Sequence, residues 1–241
     1  MSTVEAPRVL VVQHEADCPP AWIGDWLVEA GCVLDVRHPY RGDALPSDLH
    51  SHDALLVLGG AMGANDDETC PWLATTKDLV RVAAETAVPT LGVCLGHQLA
   101  AVALGGEVGP NPHGQQLGLV PMGWTEAAVR DELTRGLTAT RFGVHWNNDI
   151  VLRAPDDTVV LATSPGGELQ VARFAPGIWG VQLHPEVDER ILETWAEDDR
   201  ERYDEGVLED VLRKVASARE DLVVGWRPLA QALAGLNRPV A

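Results

Sequence analysis

The sequence predicts an α/β protein built on a doubly wound, mostly parallel sheet with helices on both faces, followed by a helical C-terminal tail. Three observations carry that prediction. Short apolar runs, among them Arg8–Gln13, Ala54–Leu58 and Thr90–Val93, read as buried strands. Segments with apolar residues at helical spacing separate them. The resulting order over residues 8–105, β-α-β-β-α-β-α, implies parallel pairing through crossover connections.

Arg8-Val-Leu-Val-Val-Gln13 is the first strand. Pro19-Pro20 open a helix over Ala21 to Ala30, with Trp22, Ile23, Trp26 and Leu27 on one side and Gly31 as its stop. Cys32 to Val36 is the second strand. Residues 39–53 are polar and contain Gly and Pro, so they read as loop or short helix. His50 and His52, beside Asp48 and Asp53, are residue types that bind metals, but two isolated histidines in a polar loop are expected to be solvated surface. Ala54 to Leu58 is the third strand. It ends in Gly59-Gly60, a pair that permits close backbone approach to a ligand. A loop over Asn65 to Trp72 leads to a helix over Trp72 to Ala87, with Leu73, Leu79, Val80 and Ala83 inward. Then come the strand Thr90–Val93 and a helix carrying Leu95, Leu99, Val102 and Ala103.

Residues 105–124 give short strands at Gly106–Val108 and Leu117–Val120. Thr125 to Thr138 is polar with a short helix, and Phe142 to Asp149 is a strand edge and loop. Val159–Ala162, Gln170–Phe174 and Ile178–Leu183 are strands joined by short turns, which favours antiparallel pairing. Beyond Val187 the chain is helical. The acidic run Glu197 to Glu205 is expected to be a solvated face, and Leu208–Val215 and Leu229–Leu236 are amphipathic.

The 241 residues suit one α/β domain with an appendage, and 46% hydrophobic residues supply a core, which excludes global disorder. A formal charge of −18 argues against nucleic acid and anionic membrane surfaces as partners. A small-molecule substrate is unaffected by it. None of the four cysteines, Cys18, Cys32, Cys70 and Cys94, is spaced as C-x-x-C, against zinc ribbons and thioredoxin-type sites. Free thiols fit a reducing compartment. Met1–Pro7 has no basic segment and no apolar stretch, and no window reaches membrane-spanning length, so a cytoplasmic location is expected.

Between the Thr90–Val93 strand and its helix lies Gly92-Val-Cys94-Leu-Gly96. This is the strand-turn-helix elbow pattern with cysteine at its apex. Its sharp turn leaves no room for side chains at the two glycines, and strained backbone angles are expected at Cys94. The apical thiol sits at a helix N-terminus, where the macrodipole favours a thiolate, and the Leu95 amide points into the same space as an oxyanion donor. A buried structural cysteine is the competing reading. Further on, His184-Pro-Glu186 closes the strand that runs to Leu183. In extended chain, residues two apart share a face, so His184 and Glu186 suit a base and its orienting carboxylate.

In combination and order, these residues resemble the class I (triad-type) glutamine amidotransferase family, and within it the stand-alone GMP-synthase-like branch. The motifs are Leu58-Gly-Gly60, Gly92-Val-Cys-Leu-Gly-His-Gln98, Leu104-Gly-Gly106 and Val181-Gln-Leu-His-Pro-Glu186, and the resemblance spans Arg8 to Trp195. It implies the flavodoxin-like fold of that family over residues 1–195, with residues 196–241 as a helical extension packed on the same domain. It implies hydrolysis of the γ-amide of glutamine or a γ-glutamyl compound through a thioester, with no cofactor and no metal. Cys94 matches the nucleophile, His184 the general base and acid, and Glu186 the group that orients His184. The amides of Gly60 and Leu95 match the oxyanion hole. Gln98 matches a residue holding the glutamyl part, and Gly59, Trp146 and Asn147 fall on the substrate side.

Three positions depart from the family pattern. Ala61 follows the glycine pair where proline is usual, so the loop Ala61–Asn65 gains an amide and is expected to flip more easily. Asn147 replaces a histidine, and Gln116 stands where glutamate is common. All three are expected to line the substrate side. Three functions are compatible with this reading: a stand-alone hydrolase, a glutaminase subunit feeding ammonia to a separate synthetase, and a non-catalytic binding protein on the same fold. The intact triad argues against the third.

Overall fold

The computed structural model describes residues 6–204 and 206–236. The reading of Met1–Glu5 and of Glu205 in the acidic run lies outside the described residues. In chain order the elements are β1 (Arg8–Val12), α1 (Ala21–Glu29), β2 (Val33–Arg37), β3 (Ala54–Val57), α2 (Trp72–Thr86), β4 (Thr90–Val93), α3 (Leu95–Ala103), β5 (Glu107–Pro110), β6 (Gln116–Pro121), β7 (Gly123–Trp124), β8 (Phe142–Asn147), β9 (Asp149–Arg153), β10 (Val159–Thr163), β11 (Leu169–Ala175), β12 (Ile178–Val181), α4 (Glu189–Asp198), α5 (Val207–Ser217) and α6 (Arg219–Gly235).

The central sheet has eight strands in the order β2-β1-β3-β4-β12-β11-β10-β7. The first five are parallel, and β11, β10 and β7 continue antiparallel. Two small two-stranded sheets, β5 with β9 and β6 with β8, stand beside it. Successive residues of a strand face opposite ways. Val9 and Val11 therefore join a core with Ile23, Trp26, Leu192 and Trp226, while Leu10 and Val12 join one with Leu73, Leu79, Leu95 and Leu99. Both faces are covered, which is why β3, β4 and β12 are buried at every position and read as continuous apolar runs. The outermost strand, β2, has no fully buried residue.

The four neighbouring strands β1, β3, β4 and β12 all end at the same edge. The segment after each carries groups of interest: Glu15 and Cys18 after β1, Gly59-Gly60 after β3, Cys94 after β4, and His184 and Glu186 after β12. Crevices beyond strand carboxyl ends are where such sheets bind ligands.

Several local expectations are corrected. Thr125–Thr138 forms successive turns with no helix. The Asp131 carboxylate accepts from the amides of Leu133 and Thr134 and from Arg173 and Trp179, so it competes with helical backbone bonding. β12 stops at Val181, and His184 and Glu186 lie in a loop beyond it, where the His184 amide is taken by the Val144 carbonyl of β8 at 2.7 Å. The segment 229–235 belongs to α6, which starts at Arg219 and runs through Pro228, and Leu236 caps its end. Burial of Trp226, Leu229 and Leu233 holds that helix together across the proline. His52 is buried, with Nε2 3.1 Å from the Asp35 carboxylate, while His50 is exposed. The acidic run is only partly solvated, because Asp198, Asp199 and Arg202 turn toward the strand edge described above. Among the described residues, no helix is long and apolar enough to cross a membrane.

Candidate active site

Cys94 lies at the junction of β4 and α3 with φ 50° and ψ −103°, a conformation that costs a non-glycine residue energy. Backbone contacts hold it there. A Cβ on Gly92 would meet the Gly96 carbonyl oxygen at 2.3 Å, and one on Gly96 would meet the Val57 carbonyl oxygen at 2.1 Å. Both positions are thus closed to any side chain. The Cys94 amide donates to the Val181 carbonyl at 2.8 Å, which ties the elbow to β12. The next amide, Leu95, is the first of α3 and has no carbonyl partner in its own helix.

His184 is placed against this elbow. Gly59 makes room for it, since a Cβ there would stand 3.0 Å from His184 Cε1 and 3.7 Å from Cys94 Cβ. Nδ1 of His184 is 2.8 Å from Glu186 Oε1, and the imidazole and Cys94 line the same cavity. The Glu186 carbonyl accepts from the Trp22 amide at the start of α1, at 3.1 Å. The indole of Trp195, from α4, meets the imidazole edge-on at 4.7 Å. Burial by itself pushes the His184 imidazole down. The charges of Cys94 and Glu186, with the hydrogen bond to Glu186, more than offset that and raise it to about 10.

The other buried histidines go the opposite way. Burial pushes His14 down to about 3, and His97 and His145 down to about 4, so all three are neutral at physiological pH. His14 Nδ1 accepts from the Trp72 indole, and His97 packs on Phe174. Burial, then the Glu15 carboxylate, pushes the Cys18 thiol up.

Cys94 and His184 open into a cavity of about 260 Å³. Gly60 forms part of its wall. Glu15, Asp17, Cys18, Trp146, Trp195, Asp198, Asp199 and Arg202 line the rest. Asp199 is fixed by the Trp146 indole at 2.8 Å and by Arg202 at 2.8 Å. Among the described residues, no group of three or more His, Cys, Asp or Glu side chains is placed to hold a metal ion.

Of the residues singled out in the sequence, Cys94, His184, Glu186, Gly59 and Gly60 converge, with Leu95 directly behind Cys94. Trp146 lines the cavity. Asn147 does not: it is buried, and its amide donates to the Asp149 carbonyl and to Gln116. Neighbouring residues of β8 face opposite ways, so a Trp146 that faces the cavity turns Asn147 away. The same one-residue offset puts Gln115 and Asn148 on the cavity, in place of Gln116 and Asn147. Gln98 is also walled off, donating to the Asp149 carbonyl at 2.9 Å and to Gln182 at 3.3 Å. Gln182 in turn donates toward Cys94 Sγ at 3.7 Å, so Gln98 supports a neighbour of the thiol. Ala61 does line the cavity, but its amide is held by the Glu15 carboxylate at 2.8 Å, against the expectation of a loop freer to flip. Sequence reasoning missed Glu15, Asp17 and Trp195. Trp195 stands at the far end of the family motifs, and nothing local marks the other two.

The family model for class I glutamine amidotransferase matches residues 21–194. The chain belongs to that family. A glutamine amidotransferase-like protein of Salmonella typhimurium, YfeJ, is 28% identical over 215 residues, covering 88% of this chain and 89% of that protein. The glutamine-hydrolysing GMP synthase of Aeropyrum pernix is 34% identical over 229 residues, which cover 94% of this chain but only 39% of that enzyme. Among solved structures, a glutamine amidotransferase from Methylobacillus flagellatus superposes with a TM-score of 0.87 at 24% identity, covering 98% of both chains. One from Thermotoga maritima superposes with a TM-score of 0.83 at 22% identity, covering 95% of this chain and 99% of that one. These two likenesses establish the class I glutamine amidotransferase fold.

Proposed function

We propose that this class I glutamine amidotransferase hydrolyses the γ-amide of glutamine or of a γ-glutamyl compound through a thioester on Cys94. The observation that carries the reading is the strained Cys94 elbow, facing the same cavity as a histidine that Glu186 orients. The Cys94 thiolate attacks the γ-carbon, and the amides of Gly60 and Leu95 receive the oxyanion. His184 carries the proton to the departing nitrogen, the C–N bond breaks, and ammonia or an amine leaves. Water then attacks the thioester while His184 takes its proton, releasing the γ-carboxylate and restoring the thiolate. No cofactor enters. Free thiols at Cys18, Cys32, Cys70 and Cys94 fit a reducing, cytoplasmic setting.

A second reading has one specific support. Several relatives are named as one subunit of a glutamine-hydrolysing GMP synthase. One of them, from Ignicoccus hospitalis, is 39% identical over 100 residues, covering 41% of this chain and 51% of that protein. Under this reading the ammonia passes to a separate synthetase. The test is release of ammonia or amine by the purified full chain from glutamine and a panel of γ-glutamyl amides, with Cys94→Ala as control. Turnover by the chain alone, abolished in the variant, supports the hydrolase. Turnover only once a synthetase is added supports the second reading. A folded chain inert in both settings supports a non-catalytic role.

A further inference from the structure

The proposed oxyanion hole needs the Gly60 amide kept toward the cavity, yet glycine leaves its own backbone free to rotate. Packing supplies part of the restraint: a Cβ on Gly60 would meet Met62 Sδ at 2.5 Å, Leu95 Cδ2 at 3.0 Å and His14 Cβ at 3.1 Å. The rest comes from hydrogen bonds to the loop that follows. Ala61 has an amide N–H that a proline there would lack, and it donates to Glu15 Oε1 at 2.8 Å. The same oxygen accepts from the Cys18 thiol at 3.1 Å. The turn presenting Glu15 is itself braced, because Gln13 Nε2 donates to the Glu15 carbonyl at 2.7 Å. Further along, the Gly63 amide donates to Asp66 at 2.7 Å, and the buried Lys77 ammonium donates to the Ala64 carbonyl at 3.1 Å and to Asp67 at 2.7 Å.

The Ala61 contact is the one adjoining Gly60. It fixes the plane of the Gly60–Ala61 peptide by a hydrogen bond to a charged acceptor, the stronger kind. The Gly60 N–H itself lies in the preceding Gly59–Gly60 peptide, so the bond to Glu15 restrains it by anchoring Gly60 from its C-terminal side, while the packing around Gly60 Cα restrains it from the other. We propose that Glu15 is a positioning residue, which holds the oxyanion loop in its catalytic conformation within the isolated chain and does so through the Ala61 amide. The inference rests on the hydrolase reading above. The acceptor comes from this chain's own turn after β1.

The test is steady-state kinetics of Glu15→Ala and Glu15→Gln beside the unmodified chain, with hydrogen exchange of the Ala61 amide measured on the same samples. Losing one oxyanion donor costs on the order of 10²-fold or more in kcat. A loosened donor should cost less. Glu15→Ala is expected to lower kcat by roughly 10- to 100-fold with KM changed by less than about threefold, and to speed exchange at Ala61. Glu15→Gln keeps an acceptor oxygen and is expected to keep both kcat and slow exchange within about threefold of the parent. A Glu15→Ala variant whose loss falls on KM would make Glu15 a substrate contact and overturn the proposal. So would unchanged exchange at Ala61, or a Glu15→Gln variant as impaired as Glu15→Ala. If the unmodified chain is inert while Ala61 exchange responds as expected, the hydrolase reading fails and the tether stands. An active chain indifferent to Glu15 has the opposite meaning.

Discussion

The two amides proposed to receive the oxyanion are held by opposite means. Leu95 is fixed by backbone pressed on backbone: Gly92 lies against Gly96, and Gly96 against the Val57 carbonyl. The loop after Gly60 is held by side chains reaching in from elsewhere, Glu15 from the turn after β1 onto Ala61 and Lys77 from α2 onto Ala64. Steric closure is local, is insensitive to pH and salt, and leaves a glycine signature in the sequence. Side-chain tethering depends on charge and is open to adjustment by any contact that competes for the carboxylate. One half of the hole is rigid by construction and the other half is tunable.

The sharpest way to break the rigid half is Gly96→Ala. Its methyl would sit 2.1 Å from a buried carbonyl oxygen, and neither backbone can move without displacing β3 or β4. A loss of at least about 3 kcal/mol in unfolding free energy is expected from denaturant titration, or no folded protein at all.

Next in size is Glu186→Gln, which leaves both halves of the hole intact and removes the charge behind His184. Turnover should fall by roughly 10³-fold, less than for loss of the nucleophile. The pH profile adds a sign. His184 is raised to about 10, so the imidazolium needed to protonate the leaving nitrogen is lost only as pH climbs through that value. The parent should therefore show an alkaline limb in kcat/KM near pH 10, and Glu186→Gln should move it downward. The same shift stabilises the fold. That stability is fully present below the ordinary histidine pKa of 6.5 and is lost as pH rises toward 10. A limb that stays in place in the variant would show that Glu186 does not set the imidazole.

The smallest effect is expected from the far end of the tunable half. Lys77→Met keeps the buried stem but deletes the bonds to Ala64 and Asp67. Because the Ala61 tether next to Gly60 remains, kcat should fall only about two- to fivefold, well short of Glu15→Ala. Equal effects from the two substitutions would mean that the whole loop, rather than the Ala61 peptide, sets the hole.

The same contrast decides what was legible in the sequence. The elbow was readable because its chemistry is local: two glycines and a cysteine within five residues, between an apolar run and a helical one. The parallel strands were readable because burial on both faces makes them continuously apolar. His184 and Glu186 were found together, although the segment is loop rather than strand, since a spacing of two also suits the turn that the Val144 carbonyl pins. The rest of the cavity lining was not readable. Glu15 meets Ala61 across 46 positions, Trp146 meets Asp199 across 53, and Trp195 meets the Asp17 carbonyl across 178. No local pattern encodes such pairings. The choice of Asn147 over Asn148 failed by a single residue, which on a strand is the difference between facing the cavity and facing the core.

A thioester on Cys94 can be trapped by acid-quenching the full chain during turnover of glutamine and measuring its intact mass and peptide map. A fraction of the protein is expected to be heavier by one glutamyl group, with the added mass on the peptide containing Cys94, released by hydroxylamine and absent from Cys94→Ala. Turnover with the adduct on Cys18, or turnover that persists in Cys94→Ala, would contradict it.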